Sequence, residues 1–491
     1  LSLRRQRQMC IRDSPDAFKS LVENSREDGS DLGPQLDRFF RVLDTPEADR
    51  TAKLPDELKG LPYVNGNLFT ERLDLADFDF DMRNALLAAC RFQWAKISPA
   101  VFGSLFQSIL ASETGKKKRR QIGAHYTSER DILKLVRSLF LDDLRAEFER
   151  AKKKRPDLLK FHDKLAGLKF LDPACGCGNF LVVAYRELRR LEHELIDTLF
   201  PDHGLIDVVN AVRLNVDCMH GIEIEEWPAR IAEVAMWLID HQMNQEASQR
   251  FGKQLLRLPL KKSANIANAN ALRKDWNEVL PAKDCSYVMG NPPFVGKKAR
   301  NADQQEDVEA IFSDVKGAGV LDYVACWYAK ALQYVARPET ACGFVSTNSI
   351  TQGEQVALLW PSLIAKGLSI HFGHRTFSWV SEARGAAHVH VVIIGFSVAP
   401  GRPMHLVDYG QRGRDDAAVS KASHINPYLI DYRDVFISNR TTPLVAGVPP
   451  IVFGNMPNDA GHLLLSAEER DQLVKDDPIA ADYIREMISS D

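Results

Sequence analysis

The sequence predicts an α/β protein with a mostly parallel sheet, a helical spacer before it and a partly present α+β module after it. Three observations carry that prediction. From Gly123 to about Ser397, strand-length apolar runs alternate with amphipathic stretches of helix length, the signature of a parallel sheet with crossover helices. Residues 15–115 read as helix instead. From about Pro403 the text becomes irregular, with turn signals at Asn426-Pro427, Pro449-Pro450 and Pro457-Asn458.

Composition sets the bounds. At roughly 150 residues per domain, 491 residues suggest about three domains. A chain that is 45% hydrophobic can bury large cores without a disulfide scaffold. Its 63 Lys+Arg against 66 Asp+Glu give a formal charge of −3, which excludes a basic coat or an acidic tail but leaves room for a local basic surface. The 8 cysteines form no paired CxxC sets, so no structural zinc site is expected, and free thiols fit a reducing, cytoplasmic compartment. No apolar run approaches the ~20 residues of a membrane span, and the N-terminus lacks the apolar core of a secretory signal.

Taken in order, residues 1–14 (LSLRRQRQMCIRDS) read as a non-native or disordered start. In the spacer, 15–115, Leu36, Phe39, Phe40 and Leu43 recur at helical steps, and Met82–Cys90 and Val101–Leu110 read as buried helices. A basic run, Lys116–Arg120, opens the next domain, 116–402; it and Lys152–Arg155 are solvated faces or phosphate contacts. Ser128 and Asp131 have capping-box spacing ahead of a helix from about Glu129 to Phe148. Predicted strands are Lys169–Asp172, Met219–Ile224, Tyr287–Gly290, Gly343–Thr347 and His388–Phe396, with helices between them such as Pro228–Gln242 and Tyr323–Val335. Residues 403–491 form the last module, and Asp491 falls inside text that still reads as structured, so a fragment at both ends is expected.

Three strand ends carry chemistry. The first strand ends in an acid and runs into Asp172-Pro-Ala-Cys-Gly-Cys-Gly-Asn-Phe180, where Gly176 and Gly178 allow a tight turn and close approach to a ligand. The next ends in Gly221-Ile-Glu-Ile-Glu225; an acid such as Glu223 can accept hydrogen bonds from both hydroxyls of a ribose, or simply end a strand. A later strand delivers Asn291-Pro-Pro-Phe294. The Asn291 side-chain oxygen and the Pro292 carbonyl are two acceptors for the two N–H donors of an exocyclic amine. Pro293 stiffens the loop, and the Phe294 ring can stack on a base taken out of its helix.

The D-P-A-C-G-x-G-x-F string resembles motif I of S-adenosylmethionine methyltransferases. The order GAHYTS (123–128), DPACGCG, GIEIE, NPPF and an irregular module resembles the gamma arrangement of adenine-N6 DNA methyltransferases. More closely, PYVNGNLF (62–69), ISPAVFGSLFQSIL (97–110), HRTFSW (374–379), VHVVIIGF (389–396), INPYLIDYRDVF (425–436) and MPNDAGHLLLS (456–466) resemble the MmeI-like restriction–modification enzymes.

The resemblance implies a Rossmann-like, seven-stranded sheet and a target-recognition module after it. It implies that Asp172, Pro173, Ala174, Gly176, Gly178, Glu223, Ile224 and Asn270 hold S-adenosylmethionine, with Tyr126 and Thr127 at its amino-acid end. Asn291, Pro292, Pro293 and Phe294 would hold the target base, and no metal is called for. Phe377 and Trp379 are candidates for a second stacking face or for core. The implied partner is double-stranded DNA; no membrane and no obligate protein partner are implied. Members of this type often carry a nuclease ahead of the spacer, but Glu57-Leu58-Lys59 directly after Pro55-Asp56 leaves no room for such a site, so this chain is expected to methylate and not cut. Methylation of cytosine N4, of RNA or of protein glutamine, and an idle DNA-binding fragment, are the alternatives.

Overall fold

A computed structural model of the chain describes residues 17–61, 63, 75–91, 128–201, 208–252, 264–335, 339–379, 389–398, 401–410, 417–438, 445, 447 and 464–485. The chain divides into two compact units, 1–438 and 439–491.

The first unit starts with spacer helices α1 (Ala17–Asn24), α2 (Leu32–Asp44) and α3 (Phe80–Cys90). In α2 the helically spaced Leu36, Phe39 and Leu43 are buried, as their periodicity predicts. Helix α3 forms where Met82–Cys90 predicts one, capped by Asp79, but it is not a buried helix: Phe80 and Met82 are 57% and 51% exposed. Arg83 turns inward instead, its Nε donating to Ser25 Oγ and its Nη2 to the Glu23 carbonyl. Its run of alanines and leucines reads as apolar all round, yet among the described residues only one side finds a neighbour. Val101–Leu110 and Lys116–Arg120 lie outside the described residues.

The sheet domain opens with α4 (Glu129–Val136), where Ser128 Oγ accepts the Asp131 N–H. The helix widens through a π turn, Arg137–Leu141, and continues as α5 (Asp142–Ala151). Then come α6 (Arg155–Ala166), β1 (Phe170–Asp172), α7 (Asn179–Leu199), β2 (Met219–Glu223), α8 (Glu226–Phe251), β3 (Asn265–Asn268) and β4 (Tyr287–Gly290). Helices α9 (Ala302–Ile311) and α10 (Ala325–Tyr334) lead to β5 (Ala341–Thr347). After α11 (Gly353–Ala365) follow β6 (Ser369–Trp379), β7 (Val389–Ser397), β8 (Met404–Asp408) and β9 (Ala418–Ala422).

Among the described residues these strands form one sheet in the order β3-β2-β1-β4-β5-β7-β6-β8-β9. From β3 to β5 all neighbours are parallel; β7 is antiparallel to both β5 and β6. The alternation of strand residues divides the interior in two. Phe170, Met289 and Val345 face the core under α4 to α8, while Leu171, Val288 and Phe344 face the core under α9 to α11.

The sheet is mixed α/β as predicted, but its strand count is nine, not seven. The two extra strands follow residue 402, where the sequence suggests a boundary. β8 pairs parallel with β6 (Phe372↔His405) and β9 folds back on β8 (Met404↔Ala422). Without β8 the outer ladder of β6 would be left open, and Leu406 and Val407 would lose their place in the two cores. The second unit holds α12 (Ala467–Asp476), whose capping box joins Ser466 and Glu469. Among the described residues no helix is long and apolar enough to cross a membrane.

The close approach of β6 and β7 supplies a test. A Cβ on Gly395 would lie 1.9 Å from a ring carbon of the buried Phe372. Gly395→Ala is expected to cost about 1–3 kcal/mol of stability by overpacking, read as a lowered urea midpoint.

Candidate active site

Parallel pairing brings the carboxyl ends of β1, β2, β3 and β4 to one edge of the sheet, and the predicted site residues follow those ends. After β1 the chain turns through Gly176 (φ +53°) and Gly178 (φ +82°), left-handed conformations that glycine adopts without strain. Gly178 then opens α7 against α8, since a Cβ there would sit 3.1 Å from the Ala232 Cβ. At Gly176 the same direction is open, with no atom of the described residues within 4 Å.

The loops after β1, β2 and β3 are hydrogen-bonded to one another, and the end of β4 packs against them. Glu223 at the end of β2 accepts the Gly176 N–H at 2.9 Å and the Glu225 N–H at 3.0 Å. The Glu223 carbonyl takes the Ala269 N–H at 2.8 Å, and Asn268 Nδ2 donates to the same carbonyl and to that of Ile224. Asp172 lies fully buried beside Gly290, where a Cβ would come within 2.5 Å of its Oδ1. That oxygen accepts the Ala174 N–H at 3.0 Å; Oδ2 is buried, with no hydrogen-bond partner among the described residues.

Electrostatics follow from this burial. Desolvation pushes the Asp172 carboxyl up to about 8, against the Ala174 N–H and with the nearby Glu223 adding to it. Burial also raises Glu223, opposed by the N–H groups of Glu225 and Gly176. Both carboxyls therefore favour a partner that supplies positive charge or hydrogen-bond donors.

Asn291, Pro292, Pro293 and Phe294 leave the end of β4 beside Asp172. Pro292 and the Asn291 Oδ1 are buried, and the half-buried Phe294 touches both cores. Ile224 is 56% exposed at the edge. Asn270 follows β3 with its amide engaged: Nδ2 donates to Asp307 at 3.1 Å and Oδ1 accepts the Leu272 N–H at 2.9 Å. Tyr126 and Thr127 lie outside the described residues.

Phe377 and Trp379 are core residues, 5% and 2% exposed, so neither offers a stacking face. Phe377 packs against Tyr409 with ring centres 4.8 Å apart, and the Lys134 ammonium lies 4.8 Å from its ring. Within Lys152–Arg155, Lys152 pairs with Glu149 and Arg155 donates to the Leu199 carbonyl, so these two are committed within the chain.

Four residues with no local signal complete the surroundings. Asp307 on α9 is buried and accepts from Asn270, Arg273 and Tyr323. Asp322, Tyr323 and Trp327 precede or open α10 and reach the loops after β4 and β1. Their text reads as the start of an ordinary buried helix, and only tertiary contacts reveal their partners.

Asp172 gives a pH test with a definite sign. The unfolded chain sheds its proton near 3.8, while the folded chain keeps it to about 8. Between those values the native state binds more protons, so this residue's contribution lowers stability as pH rises from about 4 to about 8. Asp172→Asn is expected to flatten that part of the profile, gaining on the wild type in urea unfolding at pH 8.5 relative to pH 6.

Comparison with known proteins places this architecture. The family described as "MmeI, DNA-methyltransferase domain" matches residues 148–408, "MmeI, helicase spacer domain" matches 10–69, and "MmeI, target recognition domain" matches 431–491. "DNA methyltransferase A" of Bacillus subtilis (strain 168) is 36% identical over 480 residues, 97% of this chain and 53% of that protein. A putative type II restriction enzyme and methyltransferase of Methanocaldococcus jannaschii is 23% identical over 296 residues, 52% of this chain and 24% of that protein. A solved structure of the Type IIL restriction–modification enzyme MmeI in complex with DNA superposes with a TM-score of 0.91 at 48% identity, covering 97% of this chain and 64% of that one. The chain thus spans about half the length of the Bacillus subtilis relative. Its middle half carries the methyltransferase match, its flanks carry the two accessory matches in the same order, and the chain belongs to the family of MmeI-type DNA methyltransferases.

Proposed function

We propose that the chain transfers a methyl group from S-adenosylmethionine to N6 of an adenine flipped out of double-stranded DNA, as the modifying part of a cytoplasmic restriction–modification system. The observation that carries this reading is the joining of two half-sites at one sheet edge. Glu223 is bonded to the glycine loop at Gly176, and Asp172 of that loop packs on Gly290, the residue before Asn291.

Three features support the fit of the cofactor. Asp172 Oδ2 is a buried carboxyl oxygen with no partner among the described residues, suited to a cationic ligand. Each Glu223 oxygen accepts one N–H and keeps a lone pair for a ribose hydroxyl. The open space beside Gly176 admits a ligand against the backbone. When bound, S-adenosylmethionine supplies a methyl carbon on a sulfonium, an electrophile that needs no further activation.

The protein's part is positioning and charge stabilisation. The Asn291 side-chain oxygen and the Pro292 carbonyl accept the two N–H groups of the amine, which turns its lone pair out of the ring plane toward the methyl carbon. Both acceptors would stabilise the positive charge that develops on the nitrogen as the new C–N bond replaces the methyl–sulfur bond, whose electron pair leaves on the sulfur as a thioether, until the extra proton passes to solvent. Phe294 stacks on the extruded base, and Pro293 limits the loop's freedom.

Incubation with labelled S-adenosylmethionine and mixed duplex DNA, then digestion to nucleosides, is expected to yield N6-methyladenine. N4-methylcytosine, or label confined to RNA or protein, sinks the adenine assignment. Asn291→Ala is expected to lose about 100-fold or more in methyl transfer while still binding S-adenosylmethionine. Glu223→Ala is expected to weaken cofactor binding by roughly 10- to 100-fold in a calorimetric titration, with its DNA affinity unchanged.

A further inference from the structure

A parallel sheet fixes only the bases of its loops. Neighbouring strands are about 4.8 Å apart, so the loops after β3 and β4 start about 14 Å from each other, with β2 and β1 between them. In-line transfer tolerates misplacement of only about 0.5 Å, so loops that leave the sheet independently need a common brace.

One six-residue segment touches two of these loops and reaches a third through Asp307. Trp327 Nε1 donates to the Pro173 carbonyl at 3.1 Å, in the glycine loop after β1. Asp322 Oδ1 accepts the Val295 N–H at 3.1 Å, and the Tyr323 N–H donates to the Val295 carbonyl at 3.1 Å. Val295 directly follows Phe294, so both backbone groups at the exit of the Asn-Pro-Pro-Phe loop are held. The Tyr323 hydroxyl donates to Asp307 Oδ2 at 2.7 Å, and that oxygen also receives Asn270 Nδ2 from the loop after β3.

The segment is itself braced. Its Asp322 N–H donates to Gln355 Oε1 at 2.9 Å, the Tyr323 and Trp327 rings meet edge to face with centres 5.3 Å apart, and Asp322, Tyr323 and Trp327 are 7%, 5% and 4% exposed. Asp322 is a carboxyl held at a buried position by backbone N–H groups, a costly arrangement that fixes the geometry of whatever it accepts.

We propose that Asp322–Trp327 is a positioning strap, in which Trp327 and Asp322 are positioning residues that hold the target-amine loop in register with the cofactor loop. The inference rests on the methyltransferase reading above. It assigns Trp327 to the cofactor side, Asp322 to the amine side and Tyr323, through Asp307, to Asn270. Ligand seated against the glycine loop is thereby transmitted to residues 291–296.

The test combines turnover with a readout that does not need turnover. Asp322→Ala is expected to lower kcat about 100-fold, with cofactor Kd within about 3-fold of wild type. Asp322→Asn, which keeps a carbonyl oxygen for Val295, is expected to recover most of that loss. Trp327→Phe keeps an aromatic ring, though a smaller one, and removes the donor to Pro173; it is expected to weaken cofactor binding and lower kcat. The double variant Asp322→Ala/Trp327→Phe is expected to lose less than the product of the single losses, since both act on one register.

Independently, saturating S-adenosylmethionine is expected to slow amide exchange across 291–296 in the wild type but not in Trp327→Phe. Strictly additive kinetic losses, unchanged kcat in Asp322→Ala, or equal slowing of exchange in wild type and Trp327→Phe would overturn the strap. If Asp322→Ala does not fold, the exchange comparison decides. A wild type that binds the cofactor yet methylates nothing overturns the methyltransferase reading, and the exchange comparison still decides the strap.

Discussion

The parallel pairing of β1 with β2 on one side and β4 on the other is the constraint on which the rest depends. Phe170 pairs in register with both Met219 and Tyr287, so three strands end within two residues of one another and turn out of the sheet at one edge. With three residues, β1 is too short to tolerate slippage: moving it by one would exchange Phe170 and Leu171 between two cores of different shape. The same register sets Asp172 against Gly290, where only a residue without a side chain leaves room for a buried carboxyl. Backbone pairing, core packing and the site's geometry are thus three views of one alignment.

The site loops were legible in the sequence because their requirements are local. A left-handed turn asks for Gly176 and Gly178, and a stiff loop after a strand asks for Pro292 and Pro293; such needs leave a mark in a few consecutive residues. The strands β1, β2, β4, β5 and β7 were legible as apolar runs for a similar reason. What was hidden depends on partners remote in sequence. β6 carries His371 and His374 into the interior, and His374 is satisfied by Ser138 and Tyr409, far away in the chain. β9 is largely exposed and shows no apolar alternation. Helix α3 erred the other way, since apolar residues predict a buried helix only when enough neighbours exist to cover them.

The acidic character of the site edge also needed coordinates to appear. Asp172, Glu223, Asp307 and Asp322 are dispersed over 150 residues of sequence in a chain whose total charge is close to neutral. Folding gathers them around the loops after β1 to β4, each held by backbone N–H groups or by fixed side-chain donors. Net charge says little about such a site, because the relevant quantity is which carboxyls lose water and what replaces it.

The extension of the sheet past residue 402 bears on how such proteins can exchange parts in evolution. β8 is hydrogen-bonded to β6 and buries Leu406 and Val407 in the two cores, so the chain after β7 remains structurally committed to the domain before it. A recombination junction at 402 would cut through a ladder and expose an edge. A junction beyond Ser438, where the compact unit ends, would carry the whole sheet intact and join only at a boundary between units. Inherited exchanges of the second unit would therefore be filtered by sheet integrity, with crossover points concentrated downstream of β9.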